Sequence, residues 1–329
     1  MNEELFKDLV RPVTEEDREK LPVFSYSKMD VYKNCPFQFD LKYNQNKHTD
    51  DTSIALEMGS LLHYVLEQKG KALAAGKKVD YKELNDIIQN GTTITDEKTK
   101  EILPGIVELR KKYWGTFNVP DTEGRTYDQK LTIFDRVLHT EMEDDDWTPY
   151  LFEYPFEFVW DNRAIIHGFI DRIDKKGDEY RTIDYKTSKK VYDSSKLATS
   201  LQFGIYAMAI YKGFGALPSQ SNYRFILLDE TQSALTKGWE KRLIKALTGI
   251  FDKIDADGAS GVWKPSPSPL CHWCNFCAHN PNAYEHKNAC EYYSLWEPNN
   301  KTYAVNKEFT GKQNNSTELK TNEKRKLIF

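Results

Sequence analysis

Residues 164–187, AIIHGFIDRIDKKGDEYRTIDYKT, carry the clearest structural signal in the chain. Two runs rich in β-branched and aromatic residues, 164–174 and 180–187, flank Lys175-Lys176-Gly177-Asp178, whose glycine suits a tight reversal. Together they predict a β-hairpin. Side chains two apart on a strand point to one face, so Asp184 and Lys186 project together, and an antiparallel neighbour brings Asp171 alongside. Two carboxylates and an ammonium on a half-apolar sheet are costly to leave unpaired. A divalent cation would relieve the repulsion between the carboxylates. Lys186 would then position a water or stabilise charge on a phosphate oxygen. The plainer alternative is a ladder of ion pairs on a solvent-facing strand.

Further strands are predicted at 154-YPFEFVW-160 and 223-YRFILLDE-230, and helices at 194–213 and 238–257. Upstream, 55–76 reads as a helix in which Leu56, Leu62, Val65 and Leu66 share a face and Gly76 suits the end. Segment 24–43 opens with Ser25 and Ser27 as candidate caps. Residues 80–150 read as mostly helical and charged, closing on a solvated acidic run, Glu141, Glu143, Asp144, Asp145 and Asp146. The order helix, three strands, helix, strand, helix predicts an α/β domain with additions at both ends. Its expected parts are a polar leader over 1–21, one domain over 22–297 with a cysteine segment at 264–291, and a basic, disordered tail over 298–329.

The chain has 329 residues, of which 39% are hydrophobic and 13% aromatic, so a sizeable core is affordable and wholesale disorder is excluded. No run of 18 apolar residues occurs, which argues against a membrane span. The first residues, MNEELFKDLVRPVTEEDREK, lack the apolar region of a secretory signal, so the cytoplasm is the expected location. The net charge of −4 hides an asymmetry. Lys301, Lys307, Lys312, Lys320, Lys324, Arg325 and Lys326 make the tail basic and leave the body acidic. That distribution fits a polyanion partner or a metal-rich site.

Two further pairs accompany the hairpin. Gly59-x-x-x-His63 lies on the upstream helix, where a lone histidine also reads as a core residue. Gln202-x-x-x-Tyr206 lies on the helix after the hairpin, with both side chains on one face, set for sugar, phosphate or the lysine, or for ordinary packing. The ordered set Gly59-x-x-x-His63, Gly168-x-x-Asp171-Arg172-x-Asp174, Asp184-Tyr185-Lys186 and Gln202-x-x-x-Tyr206 resembles the RecB-like branch of the PD-(D/E)xK nuclease superfamily, over about residues 22–296. The resemblance implies a restriction-endonuclease-like core, a central mixed sheet flanked by helices, here with a helical N-terminal insertion. It implies that His63, Asp171 and Asp184 bind Mg²⁺ or Mn²⁺ and that Lys186 serves the attacking water. Gln202 and Tyr206 would contact the substrate or orient the catalytic groups. An imidazole beside carboxylates favours Mn²⁺ somewhat.

The cysteines are Cys35, Cys271, Cys274, Cys277 and Cys290. Close spacing in a chain without an export signal reads as metal or cluster binding rather than disulfides. Ser25-Tyr26-Ser27, Tyr32-x-x-Cys35-Pro36-x-x-Phe39 and the segment from Pro269 to Phe276 resemble iron–sulfur members of the same superfamily, the AddB-type recombination nucleases and the exonucleases of CRISPR adaptation. This implies a 4Fe–4S cluster that ties one early cysteine to three late ones, thiolates being its usual ligands. The expected ligands are Cys35, Cys271, Cys274 and Cys290, with Cys277 as a substitute, because the position six beyond the C-x-x-C pair is Asn280. A Zn²⁺ site from Cys271, Cys274, Cys277 and Cys290 or a nearby histidine (His272, His279 or His286) is the alternative.

Gly70 to Gly76-Lys77-Lys78 glances at a phosphate-binding loop, but five residues separate its glycines and no Ser/Thr follows, so no helicase motor is expected. The resulting expectation is a metal-dependent DNA nuclease, an exonuclease on single strands or duplex ends. It would serve recombination, repair or phage replication in a bacterium or a phage-infected host, with a helicase or recombination protein as candidate partner and no membrane. The alternatives are a non-catalytic, cluster-stapled DNA-binding module, a nuclease subunit that needs a helicase, and an RNA or small-molecule enzyme on the same scaffold. Tyr26, Tyr32 and Phe37 read equally as base-stacking or core residues.

Overall fold

The computed structural model describes residues 5–47, 53–95, 100–115, 131–139, 142, 146–188, 190–198, 200–233, 239–277, 280, 289–297, 302–305 and 309. Its main sheet comprises β1 (Val10–Arg11), β2 (Val23–Phe24), β5 (Thr148–Trp160), β6 (Ala164–Lys176), β7 (Glu179–Lys186), β8 (Gln220–Phe225) and β9 (Glu230–Ser233). The order is β1-β5-β6-β7-β8-β9, with β2 beside β6. β2 runs parallel to β6 and β7 parallel to β8, while the other neighbours are antiparallel. This is the mixed α/β architecture expected, a mostly antiparallel sheet flanked by helices. The β6–β7 hairpin closes on the pair Lys176↔Glu179 around Gly177, whose φ of +58° favours glycine.

One face of the sheet carries α2 (Tyr26–Asn34), the single turn α3 (Pro36–Phe39) that follows it, α9 (Leu201–Phe214) and α10 (Trp239–Ser260). Phe39, Phe156, Phe158, Phe203, Tyr223 and Phe251 fill the core between. Helix α9 is apolar on nearly every side, which suits an element covered all round. Ser200 caps its start, and Gly215 in the left-handed region ends it. The short helix α8 (Ser194–Ala198) precedes it, so the single helix expected over 194–213 is split at the Ser200 cap. Gly204 of α9 lies so close to α10 that a Cβ there would fall 2.5 Å from a Leu243 methyl.

The other face carries α4 (Ile54–Ala74), α5 (Tyr81–Asn90), α6 (Ile106–Lys112) and α7 (Thr132–His139). Leu61, Leu62, Val65, Leu66, Ile88 and Val137 meet Phe152, Ile183 and Tyr185 in a second core. Gly70, half of the apparent phosphate loop, is a helix position pressed against the Phe152 ring. Under this layer Asp174 is fully buried and accepts hydrogen bonds from Arg172 Nε at 2.5 Å and Arg181 Nη2 at 2.6 Å.

Four expectations are corrected. Residues 1–21 are not a detached leader, because β1 pairs with β5 and Phe6 is fully buried, stacked on Trp239 at 5.6 Å. Apolar residues spaced singly among charges concealed this. α1 (Glu15–Lys20) has a capping box between Thr14 and Asp17 and is fastened by the Arg11–Asp17 and Arg18–Glu157 ion pairs. Segment 80–150 contains a hairpin, β3 (Gly91–Thr95) with β4 (Lys100–Pro104), besides its helices. β10 (Ser294–Glu297) pairs with β11 (Thr302–Val305), so a boundary at 297 cuts a hairpin. The strand expected at 223–230 is two, reversing at Asp229, where φ is +55°. Most of the tail, and all of the acidic run except Asp146, lie outside the described residues. Among the described residues no helix is long and apolar enough to cross a membrane.

Candidate active site

The candidate residues meet at the seam between the two cores, and alternation along β7 explains how. Ile183 and Tyr185 turn into the core under α4, whereas Asp184 and Lys186 turn toward α9. Asp171 lies one step before the first β6–β7 pair, Arg172↔Ile183, and its Oδ2 accepts the Tyr185 backbone N–H at 2.8 Å. From the opposite layer α4 delivers His63, with Nδ1 3.5 Å from Asp171 Oδ2 and the ring edge-on to Tyr185. Burial pushes the His63 pKa down, leaving the neutral imidazole that ligates metals.

Glu153 joins them. Phe152 packs into the core under α4, while Phe156 and Phe158 pack into the core under α9, so β5 changes faces near Glu153. The φ of Glu153 is +44°, a left-handed conformation that costs an ordinary residue on the order of 1–3 kcal/mol. The ligand atoms of His63, Glu153 and Asp171 lie within 4.8 Å of one another. Burial, then the charge of Glu67, pushes the Glu153 carboxyl up to about 7. Burial, then Asp184 and Glu153, likewise holds Asp171 well above the carboxylate range. One imidazole and mutually repelling carboxylates gathered this closely are the donor set that Mg²⁺ or Mn²⁺ takes. Sequence reading missed Glu153 because it looks like any charge alternating along a strand. Its place across from Asp171, between Phe152↔Arg172 and Tyr154↔Ile170, emerges only once β5 and β6 are paired.

Asp184, Lys186, Gln202 and Tyr206 form a second, contiguous group. Asp184 Oδ1 accepts from Gln202 Nε2 at 2.6 Å and from the Tyr206 hydroxyl at 3.2 Å. Lys186 Nζ lies 2.5 Å from Asp184 Oδ2 and donates to Gln202 Oε1 at 3.4 Å. Burial works against the Lys186 ammonium, but the charge and hydrogen bond of Asp184 outweigh it and raise its pKa. Burial, then Asp184, raises the Tyr206 phenol well above its ordinary value, so it stays neutral and donates. Gln202 and Tyr206 are therefore bonded beneath the acidic and basic groups.

The loop after β7 brings in Tyr192, which sequence reading did not mark. The Gln232 side chain holds its backbone by two hydrogen bonds of 3.0 Å, and its ring packs edge-on against Tyr223 and Phe225. Of the three aromatics left open above, Tyr32 and Phe37 are core residues, and Tyr26 is packed against the core.

Cys35, Cys274 and Cys290 come together around Phe37, Leu41 and Phe276. Cys35 ends α2 and its Sγ accepts the Ser266 N–H at 3.4 Å, while Cys271 Sγ accepts the Ser268 N–H at the same distance. Burial pushes the thiols of Cys274 and Cys290 up to about 12, with the neighbouring cysteines adding to the effect. Cys277 is buried and its backbone pairs in a parallel β-bridge with that of Cys290, with no disulfide joining the two, which places it beside the same pocket. Asn280 is buried and donates to Asn275. The sulfur-rich pocket, reached by backbone N–H donors, suits a thiolate-bound group. His272 sits edge-on to Trp273, and His279 and His286 lie outside the described residues.

A family model described as the PD-(D/E)XK nuclease superfamily matches residues 23–279. Curated relatives from three strains of Clostridium perfringens, each named as a subunit of an ATP-dependent helicase/deoxyribonuclease, are 27%, 26% and 26% identical over 220 residues. The match covers 60% of this chain and 18% of each relative, so the chain spans about a fifth of their length.

Proposed function

Because the chain belongs to the PD-(D/E)XK nuclease superfamily, a family of metal-using nucleases, we propose that it is a metal-dependent deoxyribonuclease acting on single strands or DNA ends. The observation that carries this reading is the meeting of His63, Glu153 and Asp171 with the Asp184–Lys186 pair at one seam of the fold.

Mg²⁺ or Mn²⁺ held by His63, Asp171 and Asp184, with Glu153 as an added ligand, would supply a Lewis acid and an acidified water. The chain's own groups set the geometry. The Tyr185 N–H fixes Asp171, and Gln202 and Tyr206 hold Asp184 by one oxygen. Lys186, kept protonated by Asp184, is a donor rather than a base. It orients the attacking water and stabilises the charge that builds on the phosphoryl oxygen during in-line displacement of the 3′ oxygen. A non-catalytic clamp is disfavoured, because both aspartates and the lysine are present and mutually aligned. The name borne by the relatives favours a second element, a helicase partner that feeds single strands to this chain.

We further assign a 4Fe–4S cluster to Cys35, Cys271, Cys274 and Cys290, with Cys277 as substitute, stapling the N-terminal helices to the C-terminal segment. What supports it over zinc is Cys35, which enters the pocket from the far end of the chain. The nuclease unit would then include β1 and α1 at its start and the β10–β11 hairpin at its end, with the basic residues beyond Val305 as an accessory to DNA binding. A role in recombination, repair or phage replication accords with this assembly.

The decisive assay incubates anaerobically purified protein with end-labelled single- and double-stranded DNA in Mn²⁺, Mg²⁺ or EDTA. Cleavage that needs the metal supports the reading; bound but uncut DNA in every metal defeats it. Glu153→Gln is expected to raise the metal concentration for half-maximal activity by about 10- to 100-fold. An unchanged metal titration would remove Glu153 from the ligand set. Cys35→Ser is expected to abolish the brown absorbance and lower the melting temperature, checked by optical spectroscopy and iron analysis. A colourless wild-type protein carrying zinc would overturn the cluster assignment.

A further inference from the structure

We propose that Phe169, backed by Pro155, is a stacking platform for an unpaired nucleobase beside the scissile phosphate, which makes a single strand the substrate. The inference rests on the nuclease reading and specifies its substrate.

Phe169 is 54% exposed, although the next residue, Ile170, is fully buried. It stands on β6 two residues before Asp171, and its partner across the ladder is Pro155, itself exposed and two residues past Glu153 on β5. Two strands thus run from an acidic rung, Glu153 with Asp171, to an apolar rung, Pro155 with Phe169. At the rise of a strand the two rungs are about 7 Å apart, comparable to the reach from a nucleotide's phosphate to its base. A single exposed aromatic is ordinary on a protein surface. One fixed in the middle of a long strand, opposite a second exposed apolar ring and beside the metal-binding rung, has a ready occupant in the substrate itself.

The neighbourhood is kept open. β1 pairs only with Val159 and Trp160, so among the described residues β5 has no strand on its outer side at Pro155, where a proline also lacks the N–H needed to recruit one. Gly168 lies against the Phe156 ring, where a Cβ would fall 2.9 Å from it, so the backbone that presents Phe169 is packed close to the core. A phenyl face offers no hydrogen-bond code, so stacking there tolerates every base. Bases in a duplex are already covered on both sides, so the platform selects strands that are unpaired or frayed.

The test measures full-length wild type, Phe169→Ala and Phe169→Trp binding a fluorescent single-stranded oligonucleotide in EDTA, together with cleavage in Mn²⁺. A matching strand of abasic sites and a blunt hairpin are the controls. Phe169→Ala is expected to weaken single-strand binding by about 5- to 150-fold, with Phe169→Trp close to wild type. On the abasic strand and the hairpin the difference should vanish, and the melting temperature should hold because the side chain is exposed. Equal affinities of wild type and Phe169→Ala would overturn the platform, as would an equal loss on the abasic strand. A change of oligomeric state with DNA binding intact would reassign the patch to a protein contact. If wild type binds with the expected contrast but never cleaves, the nuclease reading fails and the platform stands. If it cleaves without the contrast, only the platform fails.

Discussion

Lys186→Ala should cut the rate of DNA cleavage by about 10²- to 10⁴-fold and leave DNA binding within a few-fold of wild type. The ammonium lies 2.5 Å from Asp184 Oδ2 and 5.2 Å from the centre of the Tyr223 ring, in a pocket where only part of the side chain reaches solvent. Among the described residues no other cation bonds Asp184 on this face of β7, so none replaces it. The substitution removes the charge that balances Asp184 and, with it, the donor proposed for the phosphoryl oxygen. Lys186→Arg keeps the charge on a wider, planar head that does not reproduce the Gln202 contact, so it should recover only part of the rate. Single-turnover rates at saturating enzyme separate this loss from weakened binding. Near-normal turnover in Lys186→Ala would remove the residue from the mechanism.

The second large effect is on stability. Asp174→Ala removes the carboxylate to which Arg172 and Arg181, both buried, donate. Removing one partner of a buried ion pair costs on the order of 3–5 kcal/mol, because an uncompensated charge stays in a desolvated place. Urea denaturation should show that loss as a lower midpoint; a cost below about 1 kcal/mol would mean that water or rearrangement relieves the arginines. Activity should fall as well. Arg172 also contacts the Tyr185 hydroxyl, and the Tyr185 N–H holds Asp171.

These two residues show what the sequence made legible. The hairpin could be read because alternating apolar runs bracket a glycine turn, and the same alternation placed Asp184 beside Lys186. The i, i+4 spacing of Gln202 and Tyr206 likewise put both on the face of α9 that bonds Asp184. Asp174, three positions from Asp171, falls on the opposite face of β6 and serves the second core. Other features were hidden for physical reasons. The β3–β4 hairpin lies among charged residues and buries Leu103. Tyr192 owes its place to Gln232, forty positions away. Glu153 depends on a change of strand face that period-two reasoning does not foresee.

Glu153 also sets function against stability at a single position. Its backbone adopts a conformation that glycine holds without strain, and its carboxyl shares a buried space with Asp171 and the field of Glu67. Trading it for glycine would relieve both strains, so the metal-free protein would gain stability by giving up a ligand. An ion bound there would therefore act as more than a reagent. By binding the folded chain alone it would stabilise the very arrangement that its absence leaves opposed, and thermal resistance would become a readout of metal occupancy.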